Sequence, residues 1–466
     1  MSTRRERDTL GEVAVPEDAL YGAQTARAVE NFPISGFRPF PAFIRATVLV
    51  KKAAAMANAE SGRLPQELCR AIVAACDEIL AGKHLDQFVV DVFQAGAGTS
   101  HNMNANEVIA NRANEILGAG KRGEYAKVDP NDHVNMAQST NDVTPTAIRL
   151  ALLDLTKAVG AELEALGDAF AAKAREYAST VKPGRTHLQD AVPITFGQEF
   201  GGWAVRMKSA AGRLTAARTE LCELGIGGTA AGTGLNADPE YRARVCRYLA
   251  EWTGDPIVPA ADLFASMQST AAFVRISSGM RTAAIELSSI ANDIRLMVSG
   301  PRTGFGELIL PAVQPGSSIM PGKVNPSIAE MVDQVCYQVI GNDTAVMLGA
   351  QAGQLELNVM MPGMNFALCF SATILANATR VFRTKSIEGM KVDERRAKEH
   401  VDSSPSLIVT ALAPHIGYAK AAALVKRALA ERRPLIDVAL EEKVLPEADL
   451  KRVLDPLPMT KGGVQS

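Results

Sequence analysis

Aromatic residues make up only 5% of the 466 residues, and just two of them are tryptophan. Sheet cores lean on aromatic and β-branched side chains, so this scarcity beside abundant alanine and leucine favours helices. Cysteine is also sparse: Cys69, Cys76, Cys222, Cys246, Cys336 and Cys369 never form a Cys-x-x-Cys pair, and most have apolar neighbours. That pattern argues against a zinc ribbon and predicts buried thiols rather than disulfides. The six histidines lack His-Glu-x-x-His or similar spacing, so neither metal nor cofactor is expected. A net charge of −2 gives no general electrostatic reason to bind nucleic acid or a membrane surface. The longest helical stretches carry charges along one side, so none is expected to span a bilayer. The charged start, Met1 to Asp8, is followed by no apolar signal-peptide core, which predicts a cytoplasmic enzyme.

What the chain has in quantity is helical periodicity. Ile148, Leu152, Leu155, Val159, Leu163, Leu166 and Phe170 recur at intervals of three and four, one face of a helix running from Pro145 to about Ser179. Pro145 suits an early helical position. A second long helix is expected from about Phe264 to Ser299, with Phe273, Ile276, Met280, Leu287, Ile294 and Val298 as its stripe and Gly300-Pro301 as its stop. A third starts at Pro326 and carries Met331, Val335 and Val339; a fourth covers about Ile194 to Leu224. Shorter helices are expected near 42–61, 65–82 and 104–118, and between Pro405, Pro414 and Pro434. The expected fold is mainly all-α, in three parts. These are a helical N-terminal domain 1–139, a bundle of long helices 140–393, and a small helical domain 394–466. Helices this long cannot be covered by one small globule and need each other, and other copies of the chain.

One loop concentrates chemistry. Residues 315–326 read Pro-Gly-Ser-Ser-Ile-Met-Pro-Gly-Lys-Val-Asn-Pro. Two glycines and three prolines forbid regular structure there. The run presents two hydroxyls, one ammonium, one amide and glycine-exposed backbone N–H groups, a set that can hold a carboxylate and move a proton. As a bare pattern it would also serve as a linker. Ser317 is the candidate base: a free serine is too weak, but backbone N–H donors and the Lys323 charge favour its alkoxide. Ser318 is a neighbouring donor. Lys323 and Asn325, two residues apart, can both reach one carboxylate if the loop folds over it.

This run resembles the signature of the fumarase/aspartase superfamily, whose members eliminate water, ammonia or an amine to give fumarate. The likeness extends from Leu10-Gly11-Glu12 and Pro16 to Gly22 as far as about Pro456, and includes three further blocks. They are Gly96-Ala97-Gly98-Thr99-Ser100, Gln138-Ser139-Thr140-Asn141-Asp142 and Gly184-Arg185-Thr186-His187. The resemblance implies a three-domain fold around a long-helix bundle. It also implies a homotetramer whose active sites each draw on three subunits, and a small dicarboxylate or amino-acid substrate. It makes Ser317 the proton-abstracting serine, with Lys323 and Asn325 on the substrate. It pairs Glu330 with His187, and it gives substrate contacts to Thr99, Ser100, Ser139, Thr140, Asn141 and Thr186.

The residues themselves leave plainer roles open. Asn102 or Asn104 would cap a following helix, and 138–142 would serve as another N-cap region. Asn131-Asp132-His133-Val134-Asn135 resembles a second anion site of fumarases, and is equally a polar surface turn. Gly96–Ser100, Ser139–Asp142, Asp190-Ala191-Val192-Pro193 and Leu357-Asn358-Val359-Met360 take aspartase-like forms. They imply elimination of ammonia from L-aspartate through an aci-carboxylate intermediate. The alternatives are a fumarase, a lyase for a substituted aspartate, and a non-enzymatic scaffold. His101, Met361, Pro405 and Ala413 depart from the aspartase pattern, and 409–412 with 415–418 are fumarase-like.

Overall fold

A computed structural model describes residues 2–463. The chain opens with an antiparallel hairpin, β1 (Thr3–Asp8) and β2 (Gly11–Pro16), in register from Thr3 opposite Pro16 to Asp8 opposite Gly11. Helices α1 (Ala23–Asn31), α2 (Pro41–Glu60), α3 (Gln66–Leu80), α4 (Thr99–Ile116) and α5 (Thr140–Glu176) follow. A second antiparallel hairpin, β3 (Val181–Thr186) and β4 (Gln189–Thr195), leads into α6 (Phe196–Arg218). Then come β5 (Glu223–Leu224), α7 (Tyr241–Thr253), β6 (Val258–Pro259), α8 (Leu263–Gln268), α9 (Ala271–Met297) and β7 (Leu308–Ile309). The chain continues through α10 (Ser327–Gln351), α11 (Met361–Phe382), β8 (Lys391–Val392) and α12 (Glu394–Ser403), and short helices reach Met459. The strands form four separate two-stranded sheets, so the fold is mainly all-α as expected.

The apolar stripe explains α5. Of its seven expected face residues, six are fully buried and only Leu155 is partly exposed. At 1.5 Å per residue its 37 residues span about 55 Å. It starts five residues before Pro145, which therefore lies inside the helix and removes one backbone bond, to the Asn141 carbonyl.

Three further boundaries differ from expectation. The stretch 264–299 is two helices, because Ser269 is extended (φ −98°, ψ 129°) and Thr270 O receives the first amides of α9. Polar Ser-Thr offers the backbone local partners and so ends one helix and starts the next. Helix α6 starts at Phe196, since Ile194 pairs with Lys182 in the hairpin. Helix α4 starts at Thr99. Asn102 and Asn104 are thus buried inside it rather than capping it, and Asn104 instead clips the Gln87–Val89 backbone.

The chain forms two compact units. The first is Met1–Ala161, Ala211–Ala284 and Cys336–Ala376; the second is Glu162–Ala210, Ile285–Val335 and Asn377–Ser466. The first packs α2, α3 and α4 through Ile44, Val48, Ile72, Ile79, Val108 and Ile109. Each such side chain contributes roughly 1.5–3 kcal/mol on burial. Arg112 of α4 adds a two-pronged ion pair to Glu78 of α3, at 2.6 and 2.9 Å. The second unit ends in a small core of Leu412, Leu424, Leu435, Val438, Leu450 and Val453. All six cysteine side chains are buried. Among the described residues no helix is long and apolar enough to cross a membrane.

Candidate active site

Within the first unit, two of the sequence blocks come together. Residues 96–98 form a tight turn with Ala97 at φ 59° and Gly98 at φ 87°, and Ala97 N–H donates to Val359 O at 2.8 Å. Gly98 is needed there: a Cβ would sit 3.0 Å from the Thr144 side chain, besides the left-handed backbone. At the start of α4 Thr99 is exposed, while Ser100 and the residues after it are buried. Asn102 Nδ2 reaches Thr140 Oγ1 at 3.2 Å, which ties the start of α4 to the start of α5.

The second block is a capping box. Ser139 Oγ accepts from Asn141 N at 3.2 Å, and Asp142 Oδ1 accepts from Ser139 N at 2.9 Å. Asn141 Nδ2 donates to Ala230 O at 2.8 Å. Its Oδ1 accepts no hydrogen bond from the described residues, which leaves it as an open acceptor. Burial pushes the Asp142 carboxyl up to about 6, against three backbone N–H donors that favour its ion.

Behind this surface lies a buried network that the sequence did not announce. Lys51 is fully buried, and its Nζ donates to Asn135 Oδ1 (2.9 Å) and Gln138 Oε1 (3.0 Å). Asn102 and Asn106 donate to the same Asn135 oxygen at 3.2 Å. Burial pulls the Lys51 ammonium down to about 7. Asn135 therefore turns inward, while Asp129 caps the amides of Asn131 and Asp132 at 2.7 and 2.9 Å. The block 131–135 is thus divided, with Asn135 in the buried network and Asn131 and Asp132 held by the Asp129 cap.

Within the second unit, His187 and Leu188 form the two-residue tip of the β3–β4 hairpin, with φ 56° and 59°. Both left-handed residues are what a type I′ turn requires, and Asn-Gly is the usual solution. A histidine and a leucine there cost about 1 kcal/mol or more each, and such strain gathers at functional positions. Thr186 and His187 are exposed. The hairpin's base is rigid. Arg185 makes a two-pronged ion pair with fully buried Glu307 at 2.7 and 3.1 Å, and Lys182 lies 3.6 Å from the same carboxylate. Glu307 was not legible in advance, because nothing near it in sequence suggests a partner.

The loop 315–326 folds back on itself. Gly316 N–H donates to Lys323 O at 2.8 Å, and Asn325 Nδ2 donates to Gly316 O at 2.7 Å. A Cβ at Gly316 would collide with the Lys323 carbonyl, so only glycine fits. Ser317 Oγ accepts from the backbone N–H groups of Ile319 (3.2 Å) and Met320 (3.0 Å). Ser318 and Lys323 are exposed, and Asn325 is half-buried. Glu330 stands in the first turn of α10, where the helix dipole favours a carboxylate. His187 and Glu330 are not hydrogen-bonded or ion-paired to each other among the described residues of one chain.

A family model described as lyase matches residues 11–341, and one described as fumarase C C-terminus matches 408–461. The chain belongs to the fumarase/aspartase superfamily of lyases. It is 48% identical to an aspartate ammonia-lyase of Bacillus subtilis, over 99% of this chain and 97% of that one. It is 46% identical to a class II fumarate hydratase of Xylella fastidiosa, over 99% and 96%. A solved fumarate lyase:delta crystallin from Brucella melitensis superposes with a TM-score of 0.95 at 49% identity, covering 98% of this chain and 100% of that one.

Against this superfamily's aspartase pattern, the four departures lie in definite places. His101 is buried one residue past Ser100, stacked on Phe43 at 4.4 Å, and burial pulls its imidazole down to about 3. Met361 is the buried first residue of α11. Pro405 opens a short helix, Pro405–Val409, where its missing N–H costs nothing. Ala413 opens another, Ala413–Ile416.

Proposed function

We propose that this lyase removes ammonia from L-aspartate to give fumarate, as a cytoplasmic homotetramer. The observation that carries the reading is the environment of Ser317. Its oxygen receives two backbone N–H groups inside a glycine-hinged loop that also bears Lys323. Those donors favour an alkoxide, which a serine base requires. The Ser317 oxygen takes a proton from Cβ, and the electron pair spreads into the adjoining carboxylate as an aci-carboxylate. Lys323, Asn325 and the hydroxyls at Thr99, Ser100, Ser139, Thr140, Thr186 and Ser318 hold the charge that develops. The carbon–nitrogen bond then breaks, its electrons leave with neutral ammonia, and the double bond forms. His187, oriented by Glu330 of another copy, contacts the substrate at the amine or carboxylate side.

The leaving group follows from Asn141. One N–H of its amide is held by Ala230 O, which fixes the amide with Oδ1 left as an acceptor. The ammonium substituent of L-aspartate presents only donors before it leaves as ammonia, whereas a departing hydroxyl needs an acid. The hydratase reading is supported by the C-terminal match at 408–461 and by the Xylella relative. Assembly is supported by large apolar side chains left open on the long helices. Val205, Ile285, Tyr337, Met347 and Leu348 are each about half exposed or more in the single chain. Purified protein given L-aspartate, then L-malate, decides the chemistry by fumarate absorbance and free ammonia. Fumarate from malate but not from aspartate would overturn the assignment.

A further inference from the structure

Asp142 is fully buried, and every bond it makes goes to backbone N–H groups. One oxygen takes Ser139 N and closes the cap of α5. The other takes Gly227 N at 3.0 Å and Thr229 N at 2.9 Å, in a glycine-rich loop far away in sequence. That second pair does nothing for the helix cap. It fixes the segment 227–229, in which Thr229 holds a left-handed φ of 55°. The next residue, Ala230, presents the carbonyl on which the Asn141 amide nitrogen rests. A connected path therefore runs from the Asp142 carboxylate, through the loop backbone, back to the side chain of its own sequence neighbour.

We propose that Asp142 is a positioning residue, which holds the Ala230 carbonyl in place and thereby keeps Asn141 turned with its oxygen toward the leaving amine. The inference rests on the ammonia-lyase reading above, and it assigns that reading's leaving-group selectivity to a residue that never touches substrate. Of the groups assigned to the substrate's carboxylates, only Ser139 meets this path, through the bond from its N–H to Asp142 Oδ1, and Lys323, Asn325 and the other hydroxyls stand apart from it. Lys51 and Tyr241 are the titratable groups whose charges bear on Asp142 from α2 and α7, and neither bonds to it.

Asp142→Asn separates this role from simple helix capping. An amide cannot accept on both sides, so either Ser139 or the 227–229 loop loses its partner. The variant is assayed for L-aspartate turnover and for inhibition by succinate, which has both carboxylates and no amine. The KM for L-aspartate is expected to rise about tenfold, the worth of one hydrogen bond, while the succinate inhibition constant moves by less than about threefold. A parallel rise in both, or no change in either, overturns the proposal. A wild-type crystal soaked in L-aspartate gives a check that needs no variant to fold. Asn141 Oδ1 should face the amine with Nδ2 still on Ala230 O, and a reversed amide overturns the proposal. If wild type fails to release ammonia from L-aspartate, the function assignment fails, and that result is in hand before any variant is made.

Discussion

At the scale of single residues, the proposed chemistry turns on making oxygen basic and holding a carboxylate. Ser317 gains two backbone donors from a loop that only glycine can close at position 316. Replacing Ser317 by alanine should leave the assembly intact by sedimentation while kcat falls by about a thousandfold or more, as loss of a general base predicts. A variant that keeps most of its turnover would reject Ser317 as base. Lys323 has a different task. Its ammonium is exposed and free to meet a carboxylate, so Lys323→Ala should raise KM by about ten- to a hundredfold, the worth of one charged hydrogen bond. An unchanged KM would remove Lys323 from the substrate. Such candidates stand out in the sequence because polar groups crowded into glycine- and proline-marked blocks have few purely structural uses. Lys51 was not legible. In Val-Lys-Lys-Ala it reads as a helix-surface lysine, and only the fold, with Asn135 and Gln138 packed over α2, makes it a buried donor.

At the scale of elements, legibility followed periodicity. The α5 stripe was readable because a 3.6-residue repeat sustained over seven positions has no other use. The hairpin β3–β4 was not, because its tip is His-Leu rather than a glycine turn, and its strands owe their place to Glu307 across the fold. The break at Ser269-Thr270 was hidden for a similar reason: two polar residues between apolar stripes fit a helix or a cap equally well. Once elements form, charge pairs tune them. Arg112 holds the Glu78 carboxyl at about 2, below its ordinary value of 4.5. The ionised form is thus favoured by folding, and its contribution is present above pH 4.5 and fades as pH falls toward 2. Both side chains keep about a quarter of their surface in water, so the pair is worth roughly 1 kcal/mol and not more. Glu78→Gln should therefore lower the denaturant midpoint at pH 7, with the gap to wild type closing as pH falls from 4.5 toward 2. A gap that stays constant with pH would show that the ion pair does not link α3 to α4 energetically.

At the scale of the whole molecule, the proposed tetramer assigns the parts of each active site to different copies. One chain carries Thr99, Ser100 and Ser139–Asn141 in its first compact unit, and Thr186, His187 and the loop 315–326 in its second. If position 141 of a site comes from one copy and position 317 from another, two impaired enzymes can repair each other. Ser317→Ala protein, inactive alone, and Asn141→Ala protein, weakened at low L-aspartate, would be mixed, unfolded, reassembled and assayed at low L-aspartate. A site is whole when the copy giving position 141 is a Ser317→Ala chain and the copy giving position 317 is an Asn141→Ala chain. Random assembly of equal amounts makes that true at about one quarter of sites, by symmetry of the closed oligomer. Recovery near a quarter of wild-type activity is therefore expected. Ser317→Ala mixed with Lys323→Ala should gain nothing beyond the weakened activity of its Lys323→Ala loops, since both positions lie in one loop of one chain and no wild-type loop can form. Absence of recovery in the first mixture, with tetramers formed, would mean that positions 141 and 317 of each site belong to the same copy.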